Sequence, residues 1–268
     1  TQVGSSAASD VYKRQDDAWP GVSFDHLKIW NIDVDWDSPN NSSISNPQIL
    51  ETTPFVSVFD NGSFSNLEQP GSPIEIDAIQ GTIMNQAQFR KFANYNSAVF
   101  NFVVDTDGSA NETAGVRWYE IRQDSDSDSW YIFQEGTYTS PNGKHAWLAS
   151  MGIDMNGNIA MGYSAMGGTT NTYVSSYYTG RFENDPLGVM TIEETLLDAG
   201  GSNISGTNRY GDYSKLALDP SNQKDFWFIT ENKQGSQISN PVGVFQIVSD
   251  NDYDLGVVDI PSPTSSAF

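Results

Sequence analysis

The chain has 268 residues, of which 12 % are aromatic and 18 % charged, with a formal net charge of −21 and no cysteine. That length suits one large all-β domain, and the aromatic content with Gly, Asn, Ser and Thr between apolar runs is that of a folded, turn-rich protein. The negative field disfavours nucleic acid and anionic membrane surfaces as partners, and the missing cysteines exclude disulfides, thiolate metal sites and cysteine nucleophiles.

Residues 1–15 stand apart from the rest. Ser5-Ser6-Ala7-Ala8-Ser9-Asp10-Val11-Tyr12-Lys13-Arg14-Gln15 shows neither strand alternation nor helical periodicity. It resembles translated sequencing-adapter read-through at the ends of metagenomic reading frames. The expectation is a non-native or disordered tail on a fragment of a longer gene. From Phe24 onward, short apolar runs alternate with turn clusters, the all-β pattern, and no stretch keeps a helical apolar stripe over three turns. No apolar run approaches the ~18 residues that a membrane helix needs.

In chain order, strands are expected at His26–Trp36 and Gln48–Val56, which would form part of a sheet (24–56). Ile83–Phe92, a turn at Asn94-Tyr95-Asn96, Ala98–Val104, Val116–Ile121 and Trp130–Gln134 form a four-strand unit (82–136). The plan returns in 146–197: Leu148–Ile153, the turn Asp154–Asn158, Ile159–Tyr163, Tyr173–Tyr178 and Val189–Leu197. It returns again in 212–248: Leu216–Leu218, a turn over Asp219–Asp225, Phe226–Ile229 and Val242–Val248. Ile192–Leu197 could make a helical turn, but its place in the repeat favours a strand. A four-strand unit recurring at roughly 60–65 residues is the sequence form of propeller blades.

The expected architecture is therefore an all-β partial β-propeller of about three to four four-stranded blades, incomplete at the N-terminus. Two details favour blades over a sandwich. Phe226-Trp227-Phe228-Ile229 is apolar on both faces, as a sheet covered on both sides would be. In Ile159–Ser164, the large Ile159, Met161 and Tyr163 share one face, and the small Ala160, Gly162 and Ser164 share the other, where a close neighbour would demand them. Residues 250–268, with Asp250–Asp254, Leu255–Ile260 and a Pro- and Ser-rich end, read as a linker and the start of a following β-sandwich module.

Several motifs occur in a fixed order: Val116-Arg117-Trp118-Tyr119-Glu120-Ile121-Arg122, the run Ile153–Ser164, Tyr178-Thr179-Gly180-Arg181, Asp185-Pro186-Leu187-Gly188 and Arg209-Tyr210-Gly211-Asp212-Tyr213-Ser214. Together they resemble a poorly characterised family of large secreted, Bacteroidetes-like multidomain proteins with a propeller-like region followed by immunoglobulin-like or sorting modules. The resemblance covers roughly residues 24–260 and implies an extracellular or cell-surface setting, with further domains of the same chain on either side. It implies no catalytic residue set. The chain departs from the pattern at Ala146-Trp147, where Arg-Trp is common, and at Tyr210, where Trp is common.

Candidate chemistry is sparse. A serine triad needs a histidine base, and only His26 and His145 exist. The arginines Arg117, Arg122 and Arg181 fall in or beside third strands, far from a propeller axis, which argues against a sialidase-type carboxylate clamp. Asp105 and Asp107, and Asp124, Asp126 and Asp128, place carboxylates at the alternating spacing calcium uses, so Ca2+ is the one cofactor suggested; polar hairpin turns are the competing account. The loops leading into each innermost strand of a propeller open around the central channel, which nominates Asp77, His145, Trp147, Arg209 and Asp212 as a ligand-binding ring. The competing account pairs Arg209 with Asp212 to hold their loop. The expected function is a non-catalytic propeller segment for adhesion, ligand binding or scaffolding, with a glycan, peptide or cell-surface ligand as partner. The alternative is an extracellular hydrolase of glycan or peptide whose catalytic groups lie partly on missing blades.

Overall fold

The computed structural model describes residues 9–59, 62–80, 83, 85–107 and 112–248, with side chains from residue 16 onward. The segment 250–268, together with Ser5–Ala8, Gly108 and Asn111, lies outside the described residues.

The described residues are all-β, arranged as antiparallel sheets in chain order. In the first, β1 (Ser9–Gln15) pairs with β2 (His26–Asp33), which also pairs with β3 (Ser43–Ile44) and β4 (Gln48–Glu51). Ser9–Gln15 is thus a strand, where the sequence suggested a structureless tail. Its ladder is built by main-chain groups, which pair with β2 without needing alternating side chains. The second sheet is a meander of β5 (Gln88–Lys91), β6 (Asn96–Asp105), β7 (Ala114–Gln123) and β8 (Tyr131–Tyr138). The third is a meander of β9 (Lys144–Ile153), β10 (Ile159–Gly167), β11 (Thr172–Arg181) and β12 (Ile192–Asp198). The fourth joins β13 (Lys215–Leu218), β14 (Phe226–Ile229) and β17 (Val242–Phe245). Between β14 and β17 lies a separate hairpin of β15 (Asn232–Gln234) and β16 (Gln237–Ser239). Among the described residues, no helix is long and apolar enough to cross a membrane.

Two turns share a device. Asp154 Oδ1 accepts the Asn156 and Asn158 N–H groups at 2.8 and 2.9 Å, and Gly157 takes the positive φ (+87°) that closes the β9–β10 turn. At the matching place after β13, the Asp219 carboxylate accepts the Ser221 N–H at 2.8 Å, and the Asp219 N–H donates to the Asp225 carbonyl at 2.8 Å.

The sheets pack face to face in series. Leu27 and Ile29 of the first meet Phe100, Phe102, Tyr119 and Ile121 of the second. The opposite face of the second sheet, with Val99, Val116 and Trp118, meets Ile159, Met161 and Tyr163 of the third. The other face of the third, with Ala160, meets Leu216, Phe226, Phe228 and Phe245 of the fourth. The small face of β10 explains that last approach: a Cβ on Gly162 would lie 2.4 Å from the Phe228 ring, and one on Gly152 would lie 2.6 Å from Leu216.

Three expectations need correction. Trp36 lies beyond β2, which ends at Asp33, and is exposed. Of Ile83–Phe92 only Gln88–Lys91 is strand, while Ile83 and Ala87 pack on the core without pairing. In β14 only Phe226 and Phe228 are buried; Trp227 and Ile229 remain 45 % and 41 % exposed, because no described sheet covers that face. Apolar residues on both faces therefore mark a covered face and a bare one. Residues 57–59 and 62–80, to which the sequence assigned no element, pack over one end of the third sheet through Phe59, Leu67, Ile76 and Ala78.

Because the third sheet is covered on both faces, substitutions on either should cost stability. Gly162→Val, forced against Phe228, should lose about 1–3 kcal/mol, and Met161→Ala, on the opposite face, about 2–4 kcal/mol. Urea unfolding measures both. A Gly162→Val variant as stable as the parent would contradict this packing.

Candidate functional site

The edge strand β9 of the third sheet changes face midway. Ala146 and, further on, Ala149, Met151 and Ile153 all point to the second sheet, although strict alternation would put Ala146 and Met151 on opposite faces. The switch is a bulge at Leu148 (φ +51°), where the β9–β10 register shifts opposite Gly162 and Ser164. The bulge sends Trp147 and Leu148 together into the end cluster with Phe59, Leu67, Ile76, Ile204 and Tyr210. The Ser214 hydroxyl donates to the Leu148 carbonyl at 2.5 Å and pins the bulged backbone.

The five proposed ring residues consequently separate. Trp147 is fully buried, its indole 6.4 Å from the Tyr210 ring, and works as core. Its Nε1 has no hydrogen-bond partner. Arg209 and Asp212 pair at the surface, Nε donating at 2.7 and 2.8 Å and Nη2 at 2.6 Å, so they brace their own loop. Asp77 is buried nearby: its N–H donates to the Asn208 carbonyl and its Oδ1 accepts the Ile79 N–H, each at 2.8 Å. Burial raises the Asp77 pKa above the usual carboxylate value, against the pull of the Ile79 N–H and the Arg209 charge. Asp77, Arg209 and Asp212 form one electrostatic neighbourhood. His145 lies elsewhere, on a cavity to which none of the other four contributes.

That cavity holds about 490 Å³. It is walled by the 66–75 loop, by Glu112 and Thr113 before β7, by Gly143, and by Gly167, Gly168 and Asn171 of the β10–β11 connection. His145 is 8 % exposed, and its Nδ1 accepts the Ala114 N–H of β7 at 3.3 Å. Desolvation lowers its pKa to about 4, partly opposed by Asp107, so the imidazole is neutral at pH 7 with its proton on Nε2. Sequence reasoning nominated His145 but missed the 66–75 wall, because that loop carries no strand or motif signal.

The calcium candidates are engaged in turns. Asp105 Oδ1 accepts the Asp107 and Thr113 N–H groups at 3.2 and 3.4 Å, and Asp107 Oδ2 accepts the Thr113 hydroxyl at 3.1 Å. At the other end of the sheet Asp124 accepts the Tyr131 hydroxyl, Asp126 pairs with Lys91 and Asn96, and Asp128 accepts the Ser125 hydroxyl. Three carboxylates within metal-ligand reach of one another occur instead at Asp16, Asp17 and Asp25. There, backbone donors occupy both buried members. Asp16 takes the Ser57 and Ala18 N–H groups, and Asp25 takes those of Phe55 and Asp17, fastening the 16–25 loop to the segment after β4.

A second buried polar group is structural. Glu194 of β12 accepts from Lys144 Nζ at 2.6 Å, from the Tyr163 hydroxyl at 2.7 Å and from Ser140, while Tyr138 of β8 bonds Tyr163 at 2.8 Å. The network ties both edges of the third sheet to the second, and burial holds the Tyr138 and Tyr163 pKa values above the ordinary phenol value. Of the arginines, Arg117 is bound to Glu135, Arg122 to Glu120, and Arg181 to the Asp185 and Pro186 carbonyls. They serve separate local contacts.

No protein-family model matches the chain, and no curated protein is detectably similar to it.

The His145 environment makes a signed prediction. Below pH 6.5 the unfolded chain binds a proton that the folded imidazole refuses until about pH 4. Its contribution is therefore complete above pH 6.5 and is lost as pH falls towards 4, by up to about 3 kcal/mol. Asp77 and Asp154, with raised pKa values, push stability the opposite way over this range. The comparison that isolates the histidine is the difference in urea-derived stability between His145→Gln and the parent: the variant should gain relative stability from pH 6.5 to pH 4, and a constant difference would refute the assignment.

Proposed function

We propose that the four sheets are consecutive blades of a β-propeller, and that the chain is a non-catalytic segment of a secreted or cell-surface protein, used for ligand binding, adhesion or scaffolding. The observation that carries this reading is the serial packing of the sheets in chain order, the second and third each buried against the one before and the one after. A sandwich stacks two layers and leaves no role for a third and fourth, whereas a propeller repeats one blade-on-blade contact around an axis.

The two outermost faces also support it. The first sheet turns Ile44 and Ile49 outward, 63 % and 51 % exposed, and the last turns out Trp227 and Ile229. Bare apolar sheet faces at both ends of a stack are surfaces that further blades would cover. Neither histidine is bonded to a hydroxyl or carboxylate among the described residues: His26 Nδ1 bonds the Phe24 carbonyl, and His145 Nδ1 takes the Ala114 N–H. That arrangement leaves neither histidine set up as the base of a serine triad.

Sedimentation velocity tests the blade reading. With both end faces bare, the isolated chain should self-associate with rising concentration, and Trp227→Lys should reduce that association at unchanged Tm. A parent chain that stays monomeric up to ~100 µM, near the weak limit of specific contacts, would count against open blade faces. Release of product from labelled glycans or peptides would move the assignment to the hydrolase.

A further inference from the structure

The cavity beside His145 is assembled for a particular ligand chemistry. Its walls include Gly71, Gly143, Gly167 and Gly168, with φ of +64°, +69°, +79° and +66°, so main chain borders the space where side chains would fill it. A Cβ on Gly167 would sit 3.5 Å from the imidazole Cδ2 and 3.9 Å from Nε2, and would narrow the space in front of the ring.

The polar groups divide into those already spent and those available. Gln69 Nε2 donates to the Ile74 and Ile204 carbonyls, and its oxygen accepts the Ile204 N–H. Asn66 bonds the Ser63 carbonyl and the Ala78 N–H. These two amides hold the wall. The carboxylates of Glu68 and Glu75 make no hydrogen bond or ion pair within the described residues, and among those residues no lysine or arginine lines the space. His145 presents Nε2–H, with no acceptor among the described residues, from a side chain that is more than nine-tenths buried.

We propose that this cavity binds a small organic molecule carrying a protonated primary amine close to an oxygen acceptor, the ammonium lying beside Glu68 and Glu75 and the oxygen receiving the His145 Nε2–H. Carboxylates without counter-charge select a cation. The imidazole selects against a bare metal ion, because its one lone pair is spent on the Ala114 N–H and the edge facing the cavity carries a proton. The volume lies in the range of small-molecule pockets, roughly 300–1,000 Å³. Two sources share this chemistry, an amino sugar and the amine terminus of a peptide. The inference rests on the ligand-binding part of the reading above and does not depend on ring closure.

Isothermal titration of the whole chain at pH 7 with D-glucosamine, glycinamide, D-glucose and calcium chloride tests it. Glucosamine or glycinamide should bind saturably, and whichever binds more tightly identifies the source. Glucose, which lacks the ammonium, should bind at least 10-fold more weakly. Glu68→Gln with Glu75→Gln, both at exposed or half-exposed positions, should weaken the amine ligand at least 10-fold at unchanged Tm. His145→Gln should weaken amine and glucose alike. Equal binding of glucose and glucosamine, unaltered amine affinity in the double variant, or no saturable heat from either amine overturns the proposal. Binding of glucose or calcium in place of the amines would overturn it while leaving a ligand-binding protein.

Discussion

The structure depends on one contact made repeatedly: a twisted antiparallel sheet buried on both faces by its neighbours. The third sheet carries the constraint most plainly. Met161 and Tyr163 fill the space towards the second sheet, and Ala160 and Gly162 let the Phe228 ring come within a distance at which no Cβ fits. Such a sheet cannot turn one face to water and alternate in the ordinary way, so its composition is set by what lies on each side. Buried charge follows the same logic. Lys144, Glu194, Tyr163 and Tyr138 satisfy one another across the second and third sheets, where any of them alone would carry an unpaired group into a dry interface.

The same strand that anchors this packing also organises the end of the stack. The bulge at Leu148 rotates the first half of β9, so that Trp147 supports the end cluster and His145 reaches the cavity. A non-glycine residue at positive φ costs of order 1 kcal/mol, and burial of Leu148 among Tyr210, Ile204 and Trp147 offsets that cost. Strain in β9 and exposure of an imidazole edge to a polar cavity are two consequences of one irregularity.

Much of this was legible in the residues. The second and third sheets follow the predicted order of strands, the Ile192–Leu197 segment is a strand, and the large and small faces of β10 point to the neighbours their volumes suggested. Period-2 patterning and Asp- and Gly-rich turns carry that information locally. Less legible were features set by distant partners. The pairing of Ser9–Gln15 rests on backbone ladders, Phe59, Leu67, Ile76 and Ala78 are placed by packing with Ile204 and Tyr210, and the bulge at Leu148 leaves no local signature. The nominated ring residues fall in separate places for that reason. Of Asp77, His145, Trp147, Arg209 and Asp212, only His145 lines the cavity, because the bulge and the 66–75 loop decide which side chains meet there.

The serial order of the sheets can be measured directly, helped by a chain that contains no cysteine of its own. Spin labels on Ile49→Cys and Ile229→Cys report the separation of the first and fourth sheets by pulsed electron resonance. Packed sheets lie about 10 Å apart, so three successive interfaces predict a separation of about 30 Å or more. A distance near ~10–20 Å, as two layers would give, would contradict the stacked arrangement on which the fold and the site both stand.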